Sequence, residues 1–308
     1  MVRTFKGLIR FLSVIAEPVT MQDRKHPPMR VEEGVVVSNR PTGTDQCRIL
    51  KVQSPEIAQK ARAGQFVMVR LLNRPFPYLS RPFTIADLDP DDPDAYSLAF
   101  VTVGKGTRAL AEAAPGDTLG SIGPLGNGFE VKTAPAHVFL AGGIGSAPFP
   151  LLSREISRVD PVAPQLLLLG AASASSLHLA EELQELGVRV ETATMDGSEG
   201  FRGTVVDLVD SIKIPAGSLF YACGPNPMLA ALAKLLENRG HHCQAALEER
   251  MACGFGACNG CAVPVKESAG SGWRYEMVCT RGPVFDLMTI QWDLRDGNQM
   301  RTGSSASP

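Results

Sequence analysis

The chain lacks the marks of several protein classes. Its formal net charge is −2, so no excess of basic residues exists to draw a nucleic acid or an anionic membrane. The apolar stretch near the N-terminus (Leu8, Ile9, Phe11, Leu12, Val14, Ile15) is interrupted by Arg10, and no small-residue cleavage site closes it. That argues against a secretory leader and predicts a cytoplasmic protein without a transmembrane segment. No internal repeat is visible, and no G-x-G-x-x-G fingerprint, which argues against a standard Rossmann dehydrogenase. Disulfides have no case either. A chain of 308 residues needs no staples, and four of its seven cysteines crowd toward the C-terminus at ligand-like spacing, a pattern that favours a metal and a reducing compartment.

What is present is the composition of a globular protein, 44% hydrophobic and 20% charged, with length for two ordinary domains and a small module. Residues 1–30 form an unassigned extension. Two readings stay open for it: a frayed or docked helix, or sequence ahead of a start at Met21 or Met29, against a membrane-surface or partner helix. Short alternating runs follow at Val31–Ser38, Cys47–Val52, Phe66–Leu71 and Tyr96–Val103, separated by turn-rich stretches at Asn73–Pro77 and Asp89–Asp94. Many short strands without helical intervals predict an antiparallel β-barrel or sandwich over 31–130. From His137 the pattern becomes strand, glycine turn, helix. Strands are predicted at His137–Leu140, Gln165–Gly170, Val188–Ala193 and Ser218–Ala222, with an amphipathic stretch to Val159 and helices at Ser176–Leu186 and Asn226–Arg239. Such alternation predicts a parallel-sheet α/β domain over 131–243. The Gly- and Cys-rich segment 244–295 is too small to hold itself by apolar burial, and 296–308 reads as a flexible tail.

Cys253, Cys258 and Cys261, followed by Cys279, show the C-x4-C-x2-C…C spacing of plant-type 2Fe-2S centres. Thiolates at this spacing wrap one cluster only if the backbone curls tightly, and Gly254, Gly256 and Gly260 permit such dihedrals. The alternative, tetrahedral zinc, usually prefers paired C-x2-C knuckles, and only one such pair is present. Arg81-Pro82-Phe83-Thr84 is a second signal: an Arg for a pyrophosphate, a ring to lie near a flavin, a hydroxyl to reach flavin N5. Phe100 and Val101, on the strand Tyr96–Val103, are assigned to the same cofactor. Gly106 and Thr107, opening a helical stretch Thr107–Ala114, offer backbone N–H groups to a phosphate; the competing reading of these residues is an ordinary strand end and turn. A third signal joins Gly142-Gly143-Ile144-Gly145 to Cys223-Gly224-Pro225-Asn226-Pro227-Met228. Both are glycine turns where a strand meets a helix, as close approach of a nucleotide diphosphate requires. After Gly170 the run Ala171–Ser175 has no Arg or Lys for a 2′-phosphate, which leans toward NAD over NADP.

In this order the motifs resemble the ferredoxin-reductase superfamily. With Gly123-Pro124-Leu125-Gly126-Asn127-Gly128-Phe129, Glu248-Glu249-Arg250-Met251-Ala252-Cys253 and Cys279-Thr280-Arg281-Gly282-Pro283-Val284-Phe285 added, the chain looks like the electron-transfer subunits of the two-component, NAD-dependent dihydroorotate dehydrogenases. The resemblance covers about residues 31 to 292. It implies FAD in the barrel, contacted by Arg81, Pro82, Phe83 and Thr84 with Gly106 and Thr107 at its phosphates. It implies NAD at Gly142, Gly143, Gly145, Cys223, Gly224, Pro225 and Met228, with Cys223 and Thr84 near the hydride path and a 2Fe-2S cluster on the four cysteines. It also implies an FMN-bearing catalytic subunit as partner in a two-plus-two heterotetramer serving pyrimidine biosynthesis, since no site for dihydroorotate is visible here. Cys223 keeps a second reading as a small buried hydrophobe, and Cys47 and Cys243 read as core. A diaphorase-type subunit of another flavin complex and a non-catalytic redox sensor stand as alternatives. Related chains in hydrogenase, sulfide-dehydrogenase and ferredoxin:NADP reductase complexes share this architecture; some replace one cluster cysteine by a carboxylate, whereas all four here are Cys.

Overall fold

The computed structural model describes residues 29–74, 77–267 and 272–295. The readings made for the segment through Pro28 and for 296–308 lie outside the described residues. The alternating N-terminal half folds into an antiparallel barrel. Its strands are β1 (Arg30–Thr42), β2 (Thr44–Gln53), β3 (Phe66–Leu71), β4 (Arg81–Leu88), β5 (Ala95–Val101) and β6 (Thr118–Leu125), with the short helices α1 (Pro55–Ala58) and α2 (Lys105–Ala111) in the connections. The strands close in the order β1-β2-β5-β4-β3-β6, with β6 returning to β1, so every backbone ladder has a partner. Val36, Leu50, Val52, Val67, Val69, Ile85, Leu98 and Leu119 fill the interior.

Two of these strands are not apparent from alternation. β4 contains Arg81, Pro82 and Asp87, and β6 contains Gly120, Gly123 and Pro124, all residues that weaken a strand in isolation. Both are strands because each pairs on two sides, β4 with β3 and β5, β6 with β1 and β3. The helix predicted from Thr107 begins two residues earlier, at Lys105, with Gly104 as its cap.

The second layer is a seven-stranded sheet built from β7 (His137–Gly142), β8 (Gln165–Ala171), β9 (Arg189–Thr194), β10 (Phe201–Arg202), β11 (Leu219–Cys223), β12 (Cys243–Ala246) and β15 (Val284–Asp286), in the order β10-β9-β8-β7-β11-β12-β15. All neighbours are parallel except β12 and β15. Leu167, Leu168 and Leu169 are fully buried, the continuous apolar run of a strand covered on both faces. The covering helices include α3 (Phe149–Val159), α5 (Val205–Ser211) and α6 (Asn226–Glu237). Helix α6 buries Leu229, Leu232, Ala233 and Leu236, the i, i+3, i+4, i+7 stripe of an amphipathic helix. The helix predicted over Ser176–Leu186 is shorter than expected. A 3-10 turn occupies Ala174–Ser176, Leu179 turns left-handed at φ 63°, and α4 runs only from Ala180 to Glu185.

Between β12 and β15 the chain makes an excursion that carries the cysteines, the hairpin β13 (Ala262–Lys266) and β14 (Trp273–Met277), and α7 (Val278–Arg281); α8 (Trp292–Arg295) follows β15. The segment read from sequence as a separate module thus supplies two strands to the sheet. Among the described residues no helix is long and apolar enough to cross a membrane.

Inside the barrel the Tyr96 and Ser121 hydroxyls hydrogen-bond at 2.7 Å, both fully buried. Tyr96→Phe should therefore leave the Ser121 hydroxyl without a partner, at a cost of about 1–2 kcal/mol. Urea unfolding checks this, and an unchanged midpoint would show the pair to be dispensable.

Candidate functional site

Strand β4 presents Arg81, Pro82, Phe83 and Thr84 opposite Val69, Met68, Val67 and Phe66 of β3. All four are half-buried, at the open face of the barrel. The Arg81 guanidinium lies directly over Gly106, where any β-carbon would collide with it, and Arg81 Nη1 donates to the Leu79 carbonyl at 2.7 Å. Phe83 packs on Phe100 with ring centroids 5.5 Å apart. The Thr107 hydroxyl is occupied locally, accepting from the N–H groups of Val103 and Gly104 at 2.9 and 3.0 Å. It shapes the turn that Arg81 crosses. Two features fit an amphipathic cofactor at this face. The Thr102 hydroxyl, next to Val101, is buried without a hydrogen-bond partner, and Tyr78, Leu79 and Val103 stand 73%, 69% and 77% exposed around the site. Buried polar atoms ordinarily have partners, and exposed apolar clusters ordinarily mark binding surfaces.

The two glycine turns meet where the strand order reverses. β7 has the earlier strand β8 on one side and the later strand β11 on the other, so the crevice of the sheet opens between Gly142 and Cys223. Such switch points bind ligands in parallel sheets. Gly145 has no alternative: a β-carbon there would lie 2.7 Å from the Cys223 carbonyl carbon. Pro225 and Met228 cover Gly142, at 2.7 and 2.9 Å from where its β-carbon would be; they close the turn. The turn also touches the barrel. Ile144 and Ala147 pack with Ala86 of β4 and Ala99 of β5, and Arg154 of α3 donates to both carboxylate oxygens of Asp87, Nε to Oδ1 at 2.8 Å and Nη2 to Oδ2 at 3.1 Å. The strand that carries Arg81–Thr84 and the Gly142–Gly145 turn are therefore held face to face.

A cavity of about 320 Å³ lies beside Cys223, lined by Gly224, Pro225, Asn226, Glu248, Glu249 and Arg250. Glu248 enters the sequence reading only within the Glu248–Cys253 run, with no role of its own. Its position two residues beyond β12, the strand next to β11, is the signal that places it here. Burial first, then the Glu248 charge, pushes the Cys223 thiol up to about 12, so Cys223 offers a neutral S–H and not a nucleophilic thiolate. A larger cavity of about 430 Å³ opens between Thr42–Gly43 and α4, with Glu181, Glu182 and Glu199 in its wall. None of the site residues expected from the sequence lines it.

The four C-terminal cysteines stand together in two pairs. The Cys253 thiol interacts with that of Cys258, and the Cys279 thiol with that of Cys261, while Cys279 also feels the charge of Cys253. Among the described residues no three His, Cys, Asp or Glu side chains converge as ligands of a single ion. Backbone amides face the sulfurs: Ala257 N–H donates to Cys253 Sγ at 3.3 Å and Cys279 N–H to Cys261 Sγ at 3.4 Å. Burial pushes the Cys253 thiol up, but the N–H groups of Phe255 and Cys258, the Cys258 thiol and the Ala257 N–H more than reverse this, bringing it down to about 6. The loop winds through positive φ at Gly254 (81°), Gly256 (87°) and Asn259 (55°). Gly260, expected to supply one of these turns, does not; Asn259 does, and Asn is the non-glycine residue best suited to it. The loop is seated on the barrel, since a β-carbon at Gly254 would meet Met68 Sδ at 2.8 Å and Leu125 Cδ1 at 3.3 Å.

Comparison with known proteins agrees with this geometry. Residues 248–291 match the iron-sulfur cluster binding domain of dihydroorotate dehydrogenase B. The chain is 37% identical over 232 residues to the dihydroorotate dehydrogenase B (NAD(+)) electron transfer subunit of Geobacillus kaustophilus, covering 74% of this chain and 86% of that protein. It is 32% identical over 262 residues to the subunit of the same name from Bacillus mycoides, covering 84% and 98%. A solved structure of an NADH-dependent reduced ferredoxin-NADP oxidoreductase superposes with a TM-score of 0.74 at 26% identity, over 87% of this chain and 94% of that one. A FAD-bound flavohemoglobin from Malassezia yamatoensis shares the fold, with a TM-score of 0.56 at 19% identity, over 68% and 57%. Barrel, nicotinamide-type sheet and cysteine segment define an oxidoreductase with the ferredoxin-reductase-like, FAD-binding fold and an iron-sulfur domain. Within that class the chain belongs to the electron transfer subunits of NAD-dependent dihydroorotate dehydrogenase B.

Burial keeps three further thiols protonated: Cys47 is pushed up to about 11, Cys223 to about 12, and Cys243 higher still. Half-buried Cys223 stays essentially protonated at pH 8, where about a quarter of a free thiol with pKa ~8.5 is thiolate. The folded chain should therefore resist iodoacetamide at Cys223 and Cys243 until it unfolds, as peptide mass spectrometry reads. Because the folded values lie above the unfolded one, these thiols stabilise the fold fully below pH ~8.5 and progressively less above it.

Proposed function

We propose that this chain carries electrons from an FMN-bearing dihydroorotate dehydrogenase catalytic subunit, through a 2Fe-2S cluster and FAD, to NAD, in the cytoplasm and within a two-plus-two heterotetramer. The observation that carries the reading is the meeting of three sites: the barrel face at Arg81–Thr84, the crevice between Gly142 and Cys223, and the cysteine loop seated on Met68 and Leu125. When bound, FAD exchanges a hydride with nicotinamide on one side and single electrons with an iron-sulfur cluster on the other.

The residues of the chain divide the work. Arg81 would pair with a bound flavin's diphosphate beside Gly106 and Thr107, and the Thr84 hydroxyl would serve as the hydrogen-bond partner of the flavin ring, with Pro82, Phe83, Phe100 and Val101 lining its place. Gly142, Gly143, Gly145 and Gly224 let the dinucleotide backbone approach the strand ends. Cys223 and Glu248 line the nicotinamide end, the thiol staying neutral because of its burial and the Glu248 charge. Cys253 with Cys258, and Cys261 with Cys279, would supply the thiolates for the two irons of a 2Fe-2S cluster. This pairing suits a binuclear cluster, in which each iron takes two thiolates, better than tetrahedral zinc, which draws four ligands to one point.

Preference for NAD has a physical basis at the end of β9. Met195 and Asp196 N–H groups bond the carbonyls of Ala171 and Ala172 at 3.1 and 3.2 Å, and Ala174 N–H bonds Ser198 Oγ at 2.8 Å. This corner carries Asp196, whose carboxyl is held below the usual range by the Ser198 hydroxyl and N–H. An ionised carboxylate here repels a 2′-phosphate and offsets Arg202, whose stem packs on Gly197.

Asp196→Ser should raise use of NADPH relative to NADH about tenfold or more, read as the ratio of kcat/KM values with an artificial acceptor. The purified chain should oxidise NADH with such acceptors and leave dihydroorotate untouched. An anaerobic pull-down from the native cells should recover a stoichiometric FMN-bearing catalytic subunit and, with it, dihydroorotate-dependent reduction of NAD. Turnover of dihydroorotate by the chain alone, or recovery of an unrelated oxidoreductase, defeats the reading.

A further inference from the structure

The run Gly123–Phe129 carries part of the family resemblance, and none of its residues has been assigned a cofactor contact. Its fifth residue, Asn127, makes an unusual set of contacts. Its backbone N–H donates to the Gly282 carbonyl at 2.7 Å. Its side-chain Nδ2 donates to the carbonyls of Arg281 and Val284 at 3.1 and 2.8 Å, and its Oδ1 accepts from Val284 N–H at 3.0 Å. One residue at the end of the flavin barrel thus grips both edges of the Gly282-Pro283 step, which begins three residues beyond Cys279. Gly126 completes the seat. It turns at φ 72°, a β-carbon there would lie 2.5 Å from Pro283 Cδ and 2.6 Å from the Gly282 carbonyl oxygen, and its own carbonyl is held by buried Gln65 Nε2 at 2.9 Å. The gripped segment is tied in turn to the cysteines. Gly282 N–H bonds Val278 O at 3.1 Å, Val278 N–H bonds Cys261 O at 3.0 Å, and Pro283 O accepts from Leu247 N–H at 2.9 Å, one residue before Glu248.

We propose that Asn127 is a positioning residue for electron exchange between the cluster and the flavin: it docks the Cys279-bearing segment onto the barrel and so sets where the Cys261–Cys279 pair lies relative to the flavin strand. An asparagine suits this place because it offers two donors and an acceptor from one planar group, matching two carbonyls and one N–H that would otherwise be lost to the interface. The cysteine loop itself meets the barrel through apolar contact, Met68 and Leu125 against Gly254, and apolar contact fixes proximity without fixing register. The inference rests on the flavin and cluster reading above. In the reductive direction, NADH delivers a hydride, two electrons with one proton, to the flavin. One electron then crosses to the cluster, where one ferric iron becomes ferrous, and Asn127 acts only on that second step.

The test uses the holo complex and the variants Asn127→Ala and Asn127→Asp, with Asn127→Ser if either fails to fold. Anaerobic stopped-flow absorbance follows flavin reduction by NADH and the subsequent bleaching of the cluster, and hydrogen exchange follows the amides of Gly282, Val284 and Leu247. The expected result is flavin reduction within twofold of the unaltered complex, cluster reduction slowed about tenfold or the iron partly lost, and exchange at those three amides accelerated about tenfold with the barrel strands unchanged. Asp keeps the acceptor for Val284 but sets a carboxylate against two carbonyl oxygens, so it should be no better than Ala. Unchanged cluster reduction and exchange overturn the proposal. Equal slowing of both steps with exchange raised throughout also overturns it, because Asn127 is then a general folding residue. Absence of flavin or iron from the unaltered chain defeats the cofactor reading instead.

Discussion

The pairing of β12 with β15 is the interaction on which the rest of the arrangement depends. Gln244, Ala245 and Ala246 lie in register with Asp286, Phe285 and Val284, and the Leu247 to Pro283 hydrogen bond extends the clasp by one step. Antiparallel pairing at the edge of a parallel sheet pins both feet of the excursion that carries the cysteines. A loop whose ends are fixed has already lost most of its closure entropy. The small Cys-rich segment therefore needs little core of its own, and it borrows the sheet on one side and the barrel on the other.

From this clasp the three sites acquire their relation. β12 lies beside β11, so the residues leaving the two strands, Glu248 to Arg250 and Gly224 to Asn226, face one cavity. β15 brings Arg281–Val284 to the barrel end, where Asn127 receives them. The barrel is held to the sheet independently, by the Arg154–Asp87 pair and by Ala63 N–H on the Glu155 carboxylate at 2.8 Å. Burial pushes the Glu155 carboxyl up, while that N–H and the charges of Arg62 and Arg158 draw it down. Strand β4, the Gly142–Gly145 turn and the cysteine loop thus form a single packed body. That suits a path in which electrons must pass between groups held at fixed separations.

Much was legible from the residues. Local chemistry sets the cysteine spacing, the positive-φ turns of the loop and the strand-turn-helix grammar around Gly142, and each needs only neighbouring residues to be recognised. The β-barrel and the α/β sheet were likewise apparent from the two periodicities. Less legible were elements whose stability comes from partners distant in sequence: β4 and β6, which are weak strands doubly paired; α4, shortened by a left-handed Leu179; and the turn at Asn259, where a glycine one residue later looked the better candidate.

What the sequence determined by itself, then, is which chemistry the chain carries, because thiolate spacing, glycine at strand ends and an Arg-Pro-Phe-Thr run are short-range patterns. What only the tertiary structure decided is how those chemistries address one another. The arrival of Glu248 beside Cys223 and the grip of Asn127 on Arg281–Val284 each join residues brought together by sheet order and barrel closure, and the β13–β14 hairpin returns Cys279 to Cys261. Strand neighbours in a sheet are fixed by long-range hydrogen bonding and burial, and the local pattern of residues carries no record of which strand will lie beside which.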